Sequence, residues 1–348
     1  MSTNGTRDWR DLRVLVVGCG SIGRRHARVL QEIGVRDIAV CDPSEPARAA
    51  VLTALGLRES YADYSQALGH GFDAVVLCTP PWLHIAQAKT AIERGCDVLT
   101  EKPLSHTLDG IDDLMATTER HGRILMVAFC MRFHAGLLQV KSLLDEGAIG
   151  RLFSCRFEVG EYLPVCRPGV DYRTLFVTRE DVGVTIDYIH EPDLAIWLVG
   201  QPVRRVAAMT AQLSDLEMAG DDVAEEILWF DDRCMAQIHV DCARRTRRRV
   251  AHFLGVDGVI EIDFTDWNNC VIDTYRAGDE QWSRQTFSVE RDDMFRAEDR
   301  LFLERVISRE PPALDAFEGR KALAVVLAAR EASRTGQRIE LPARFWRK

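Results

Sequence analysis

The chain has 348 residues, with 44 Lys and Arg set against 53 Asp and Glu for a formal net charge of -9 at pH 7. That acidic balance argues against nucleic acid as a partner. No stretch approaches the roughly 18 apolar residues of a membrane span, and the polar segment from Met1 to Arg10 lacks a signal-peptide core, so no membrane partner and a cytoplasmic location are expected. The length can bury a sizeable core and suggests two domains.

The first strong signal is Val14-Leu15-Val16-Val17, a continuous apolar run of the kind a strand buried on both faces requires. Gly18-Cys19-Gly20-Ser21-Ile22-Gly23 follows at once. In such a turn the first glycine allows the bend, the second lets backbone approach a pyrophosphate, and the third permits close helix–strand packing. An amphipathic helix carrying Ala27, Leu30 and Ile33 is closed by Gly34, and a second strand, Ile38-Ala39-Val40-Cys41, ends in Asp42. That acid stands where a ribose diol would be, which favours NAD. Arg24, Arg25 and Arg48 could reach a 2′-phosphate, so NADP stays open.

Strands and helices keep alternating: Ala74 to Cys78 as strand, Leu83 to Arg94 as helix, Val98 to Thr100 as strand, Thr107 to His121 as helix and Ile124 to Phe129 as strand. This is the pattern of a doubly wound α/β sheet. Its ligand crevice lies beyond the carboxyl ends of the strands, where Gly18, Asp42, Thr79-Pro80 and Glu101-Lys102 fall. Lys102 is a candidate for hydride-transfer chemistry. His84 and Trp82 are expected on the cofactor side, although Trp82 could instead pack under the helix it precedes.

Beyond about residue 133 longer strand-like segments dominate: Leu152 to Val159, Val203 to Leu213, Val223 to Phe230, Met235 to Asp241, Arg249 to Gly255, Val259 to Asp263 and Cys270 to Tyr275. They suggest one open, mostly antiparallel sheet, followed by helices from Met294 to Ser308 and Ala316 to Ser333. The expected division is a Rossmann dinucleotide-binding domain over residues 1–133 and a substrate-binding and oligomerisation domain over 134–348. An open sheet with one uncovered face suggests a homodimer or homotetramer.

Ten cysteines occur without a CxxC pair, several of them inside apolar strands, so free thiols are expected rather than disulfides. No metal is expected, because His and Cys lack ligand spacing. His26 and His121 read as surface or packing residues, and Glu298-Asp299-Arg300 reads as the wet face of a helix. The basic run Arg244 to Arg249 reads as a hairpin tip or an interface edge, with anion binding as the lesser alternative.

In this order and spacing, several motifs together resemble the glucose-fructose oxidoreductase and inositol dehydrogenase family, Gfo/Idh/MocA. They are Gly18 to Gly23, Cys78-Thr79-Pro80-Pro81-Trp82-Leu83-His84, Glu101-Lys102-Pro103, Arg132-Phe133, Glu146 to Gly150 and Asp187-Tyr188-Ile189-His190. The resemblance implies a Rossmann domain joined to an open-sheet domain, acting through a nicotinamide on sugars, cyclitols or nucleotide-linked sugars. It implies cofactor contacts from Gly18, Gly20, Ser21, Ile22, Gly23, Asp42, Thr79, Pro80, His84, Glu101, Lys102 and Arg132. Lys102, Asp187 and His190 would carry the chemistry: a histidine to remove the hydroxyl proton, a lysine to stabilise the developing alkoxide, and an aspartate to orient the histidine or a second hydroxyl.

Many relatives place the histidine four residues after the aspartate, whereas here it is three; on one helix both spacings share a face. Asp187 could also be a simple helix N-cap, with Pro192 marking a helix that has just begun. Val182-Gly183-Val184 replaces the glycine cluster common before the aspartate, and Cys130 stands where relatives often carry asparagine. Tyr162, Arg167 and Arg173, with Lys102, Arg132, Asp187 and His190, are the candidate substrate contacts, since arginine forks suit carboxylate or phosphate and a tyrosine can stack on a sugar. Those loop residues could equally brace a loop or a subunit contact. Competing functions are a nicotinamide-binding sensor that lost the reaction, and a reductase of a non-sugar substrate such as an imine or diol.

Overall fold

The computed structural model describes residues 8–347, which form two compact units: one runs to Cys130 and includes Met294–Arg320, and the other comprises Met131–Asp293 and the chain from Lys321. The first unit is a six-stranded parallel sheet of β1 (Arg13–Val17), β2 (Asp37–Cys41), β3 (Glu59–Tyr61), β4 (Ala74–Leu77), β5 (Asp97–Glu101) and β6 (Leu125–Ala128), in the order β3-β2-β1-β4-β5-β6. Every residue of β4, β5 and β6 is buried, which is why these strands read as unbroken apolar runs. The connecting helices are α1 (Ser21–Ile33), α2 (Glu45–Leu55), α3 (Tyr64–Leu68), α4 (Pro81–Glu93) and α5 (Ile111–Arg120). As expected, α1 buries Ala27, Leu30 and Ile33 and stops at Gly34, whose φ of 105° lets its N–H cap the helix.

Three elements between residues 45 and 68 went unread. Among the residues of α2 only Val51 is buried, and β3 is a short, half-buried edge strand, so neither leaves a strong periodic trace. α5 starts at Ile111, not Thr107, because Gly110 precedes it in the left-handed conformation.

The second unit holds α6 (Ala135–Asp145), α7 (Leu163–Cys166), α8 (Gly183–Asp187), α9 (His190–Val199) and a nine-stranded sheet. Its strands are β7 (Leu152–Tyr162), β8 (Val203–Ala211), β9 (Val223–Phe230), β10 (Met235–Asp241), β11 (Ala243–Gly255), β12 (Gly258–Asp263), β13 (Asn269–Arg276), β14 (Ser283–Ser288) and β15 (Ile339–Glu340). The order is β14-β13-β12-β11-β7-β10-β9-β8-β15, antiparallel except for the β7–β10 pair. All seven anticipated strands are present; β14, exposed and polar, and the two-residue β15 are additional. Arg244 to Arg249 lie within β11, across a register irregularity opposite β7, and not at a hairpin tip. Strict alternation in β9 buries Ala224, Glu226, Leu228 and Phe230 on the inner face, against α8, and exposes Ile227 and Trp229 on the outer one.

α10 (Asp293–Ser308) belongs to the first unit, and α11 (Ala316–Thr335) runs from one unit into the other. α10 corrects one expectation outright. Glu298 and Asp299 are fully buried beside Phe295, Phe302 and Leu303 instead of lying on a wet face. Asp299 pairs with His26, which is likewise fully buried. No described helix is long and apolar enough to cross a membrane, and all ten cysteines are free thiols.

Candidate functional site

The parallel register of the first unit brings four loops to one sheet edge. Val17 pairs with Cys41 and with Leu77, and Leu77 pairs with Thr100, so Gly18, Asp42 and Cys78-Thr79, which follow their strands, leave the sheet beside Glu101, the last residue of β5, and Lys102 after it. Each glycine of the first loop has its own reason. Gly18 has a φ of 97°, and a Cβ there would stand 2.6 Å from the Cys78 carbonyl oxygen; a Cβ on Gly23 would meet the Gly18 oxygen at 1.8 Å. Around Gly20 nothing lies within 4 Å of such an atom. The open space fronts the N-terminus of α1, which no side chain caps, and such a terminus favours an anion.

Asp42 ties the second strand end to this loop. Its Oδ2 accepts the Cys19 N–H at 2.8 Å and its Oδ1 accepts the Ser44 N–H at 2.8 Å. Each carboxylate oxygen keeps acceptor capacity for a diol. Arg48 donates to the Asp42 carbonyl at 2.5 Å. Thr79 donates its hydroxyl to Gln87, and Pro80 is the N-cap of α4. His84 is buried with its ring nitrogens 2.9 Å from the Pro103 carbonyl and 2.7 Å from the Thr79 carbonyl, so it braces the loops after β4 and β5. Burial lowers its pKa against the pull of those carbonyls. Trp82 is exposed on α4 and does not pack beneath it. At Lys102, the backbone N–H donates to Glu101 Oε2 at 2.9 Å.

In the second unit Asp187 is the last residue of α8 and His190 the first of α9. They do not share one helix, and Asp187 is not an N-cap; Ile189 occupies that position with no side-chain bond. Pro192 does sit in the first turn of α9, where its missing N–H costs nothing. Gly183, with a φ of 61°, lies so close to Asp221 that a Cβ would meet its Oδ1 at 2.1 Å; Asp221 in turn accepts from the Thr185 N–H and hydroxyl. The pair Glu161 and Tyr188 closes at 3.3 Å next to this turn.

Arg132 forms a buried two-point ion pair with Asp193 of α9, Nε to Oδ2 at 2.9 Å and Nη2 to Oδ1 at 2.6 Å. Its fork therefore sets the first turn of the helix that begins with His190. The guanidinium of Arg245 stacks 3.9 Å over the Tyr162 ring. Arg173 is an exposed residue paired with Asp171 and Glu217, and Arg167 is the exposed C-cap of α7.

Several charged groups escaped the sequence reading because their patterns look like ordinary helix or strand faces. Glu191, beside His190, pairs with Arg249 of β11, and both are buried. Arg247 and Arg291 sandwich Trp267 at 3.8 and 4.1 Å; burial, then Arg249, lowers the Arg247 pKa to about 10. His134 is pushed down to about 4 by burial, then by Arg249 and Arg247. Glu226 is pushed up to about 8 by burial, then by Asp221 and Glu191.

The model of the oxidoreductase family with an NAD-binding Rossmann fold matches residues 12–129, and the GFO/IDH/MocA C-terminal domain matches residues 137–261. The chain is 29% identical to a myo-inositol 2-dehydrogenase of Thermotoga maritima, over 95% of this chain and 98% of that protein. It is 31% identical to a myo-inositol dehydrogenase of Streptomyces leeuwenhoekii, over 64% and 67%. The crystal structure of the WlbA dehydrogenase from Bordetella pertussis in complex with NADH and UDP-GlcNAcA superposes with a TM-score of 0.82 at 25% identity, covering 95% of this chain and 99% of that one. With its glycine loop, the acid at the end of β2 and these matches over both units, the chain belongs to the GFO/IDH/MocA oxidoreductase family, as an NAD-dependent dehydrogenase acting on CH–OH groups.

Proposed function

We propose that the protein oxidises a secondary alcohol of a sugar, cyclitol or nucleotide-linked sugar, or reduces the matching ketone, with Lys102 and His190 handling the proton. The observation that carries this is the common sheet edge of Gly18, Asp42, Thr79 and Lys102. The open space at Gly20 and the uncapped α1 terminus fit a pyrophosphate, and Asp42 fits a ribose diol. When bound, NAD supplies a hydride-accepting ring.

Lys102 places a compact positive charge at the reacting oxygen, where it stabilises the negative charge that grows as the alcohol is oxidised. His190 accepts the hydroxyl proton, and returns one in the reductive direction. Asp187 orients His190 or holds a neighbouring hydroxyl. Tyr162 offers a ring for a sugar face. The names of the two inositol dehydrogenase relatives support a polyhydroxylated substrate.

The test is NADH absorbance at 340 nm in both directions, with NAD and NADP, against cyclitols, free sugars, keto-sugars and UDP-sugars. Turnover with one hydroxylated class supports the proposal. NADH binding without turnover of any of them favours the sensor alternative. Met209, Ile227, Trp229, Met235 and Leu254 are exposed on the outer side of the nine-stranded sheet, which favours a homodimer or homotetramer. Sedimentation equilibrium reads that directly.

A further inference from the structure

Behind the Glu101-Lys102 turn lies a line of buried charged groups drawn from three separate elements. His26 of α1 points Nδ1 at Asp299 Oδ1 of α10, 2.8 Å away, and Nε2 at Glu101 Oε1 at the end of β5, 3.2 Å away. Glu101 Oε2 accepts the Lys102 N–H at 2.9 Å. His26 and Asp299 are 0% exposed and Glu101 is 8% exposed. Such groups cost several kcal/mol each to desolvate, and their burial is tolerable only if they hold one another.

Carboxylate oxygens face both ring nitrogens, so the ring must donate from each, which calls for an imidazolium. Burial opposes that charge, but Asp299 and then Glu101 outweigh it and hold the His26 pKa well above its ordinary value. Burial in turn raises the Asp299 carboxyl against the pull of His26. The other groups facing this cluster are Glu298 of α10, Cys78 after β4, whose thiol burial and Glu101 push up, and Arg25, whose guanidinium lies over Phe295, the ring that packs edge-on against His26.

His26, Glu298 and Asp299 offer ligand atoms within 4.8 Å of one another, close enough to suggest a metal. With both ring nitrogens turned to carboxylates, His26 keeps no lone pair for an ion. The chemistry of the cluster is that of an anchor instead.

We propose that Asp299, His26 and Glu101 form a buried positioning relay that fixes the Lys102 backbone, and through it the direction of the ammonium toward the reacting hydroxyl. Neither His26 nor Asp299 is a catalytic residue, and the inference rests on the proposed role of Lys102. Glu101 is the hinge of the relay: one oxygen is pinned by the imidazolium and the other pins the next peptide. Loss of His26 leaves that carboxylate buried with one anchor, and it would turn or draw in water. The Lys102 amide would then lose its fixed acceptor without any change in the glycine loop that holds the cofactor.

The test uses the full chain with His26→Gln and Asp299→Asn, three measurements on each, and NADH and myo-inositol as probes. His26→Gln keeps bulk but has one amide to serve two carboxylates; Asp299→Asn keeps an acceptor for the ring N–H and removes the charge. The relay predicts that deuterium exchange of the Lys102 amide quickens at least about tenfold in His26→Gln while β1 and β6 stay protected. It predicts an NADH Kd within about twofold of wild type and a kcat lower by about 10–100-fold with KM little changed, with Asp299→Asn falling between.

Unchanged exchange at Lys102 in His26→Gln overturns the relay. So does a kcat loss matched by an equal loss of NADH affinity, which marks a merely structural role. If His26→Gln does not fold, Asp299→Asn decides by the same readings. If wild type turns over no alcohol, the proposed function fails on its own, and the exchange measurement still judges the relay.

Discussion

His26 Nδ1 stands 2.8 Å from Asp299 Oδ1 across 273 positions of sequence, with both side chains fully buried. The contact ties the helix after the glycine loop to a helix near the end of the chain, and Glu101 on the other side of the ring links both to the Lys102 turn. The first unit is therefore held at its working edge by charge as well as by apolar packing.

The three glycines of the first loop separate stability from binding. A methyl at residue 23 meets the Gly18 carbonyl oxygen, so Gly23→Ala lowers stability by about 1–3 kcal/mol or more, as overpacking against rigid backbone does. At residue 20 the same methyl meets no protein atom. Gly20→Ala thus melts like wild type yet binds NADH at least about tenfold more weakly, because it fills space the cofactor needs. Thermal melts paired with NADH fluorescence titrations check both halves.

Asp42 is predicted to set the choice between nicotinamides. Its carboxylate holds the Cys19 and Ser44 amides and would repel a 2′-phosphate. Asp42→Asn keeps the shape and removes the charge, so the ratio of NADP to NAD dissociation constants falls by about tenfold. Titration of the two reduced cofactors reads that ratio without any substrate.

Glu226 makes stability fall with rising pH. Pushed up to about 8 in the folded chain from an ordinary value of 4.5, the carboxyl keeps a proton that the unfolded chain loses. Its contribution is most favourable below pH 4.5, declines between 4.5 and about 8, and is constant above. Glu226→Gln abolishes that decline. Its advantage over wild type in urea unfolding grows from pH 5 to pH 8, to the order of a few kcal/mol.

Arg132 and Asp193 are a buried ion pair that sets the first turn of α9. Removing one partner strands the other, so Arg132→Ala costs about 3–5 kcal/mol. The double substitution Arg132→Met with Asp193→Leu recovers much of that loss, because no buried charge remains. Denaturant midpoints of the single and double variants give the coupling.

How far the sequence foretold this structure depended on what each signal encoded. The glycine loop, α1 and β4 to β6 were legible because period and composition are local properties of buried parallel strands and their helices. α2, β3 and α3 were not, since elements at the sheet's edge bury too little to leave a pattern. The partner of His26 on α10 was invisible for a different reason. Glu298 and Asp299 sit among Arg296, Arg300 and Glu304 and look like solvated charge, and nothing local announces that this turn of α10 faces inward. Asp187 and His190 were found by motif, but the helix break between them was not, because the chain there carries no glycine or proline at residues 188 or 189.

The most direct test of the central claim compares Lys102→Ala and His190→Ala with wild type, on the alcohol that wild type oxidises best, alongside NADH dissociation constants for all three. The expected outcome is a kcat/KM lower by about 10²–10⁴-fold in each variant, the range of a lost proton-handling group, with NADH binding changed by less than about threefold. Wild-type turnover in Lys102→Ala would contradict it.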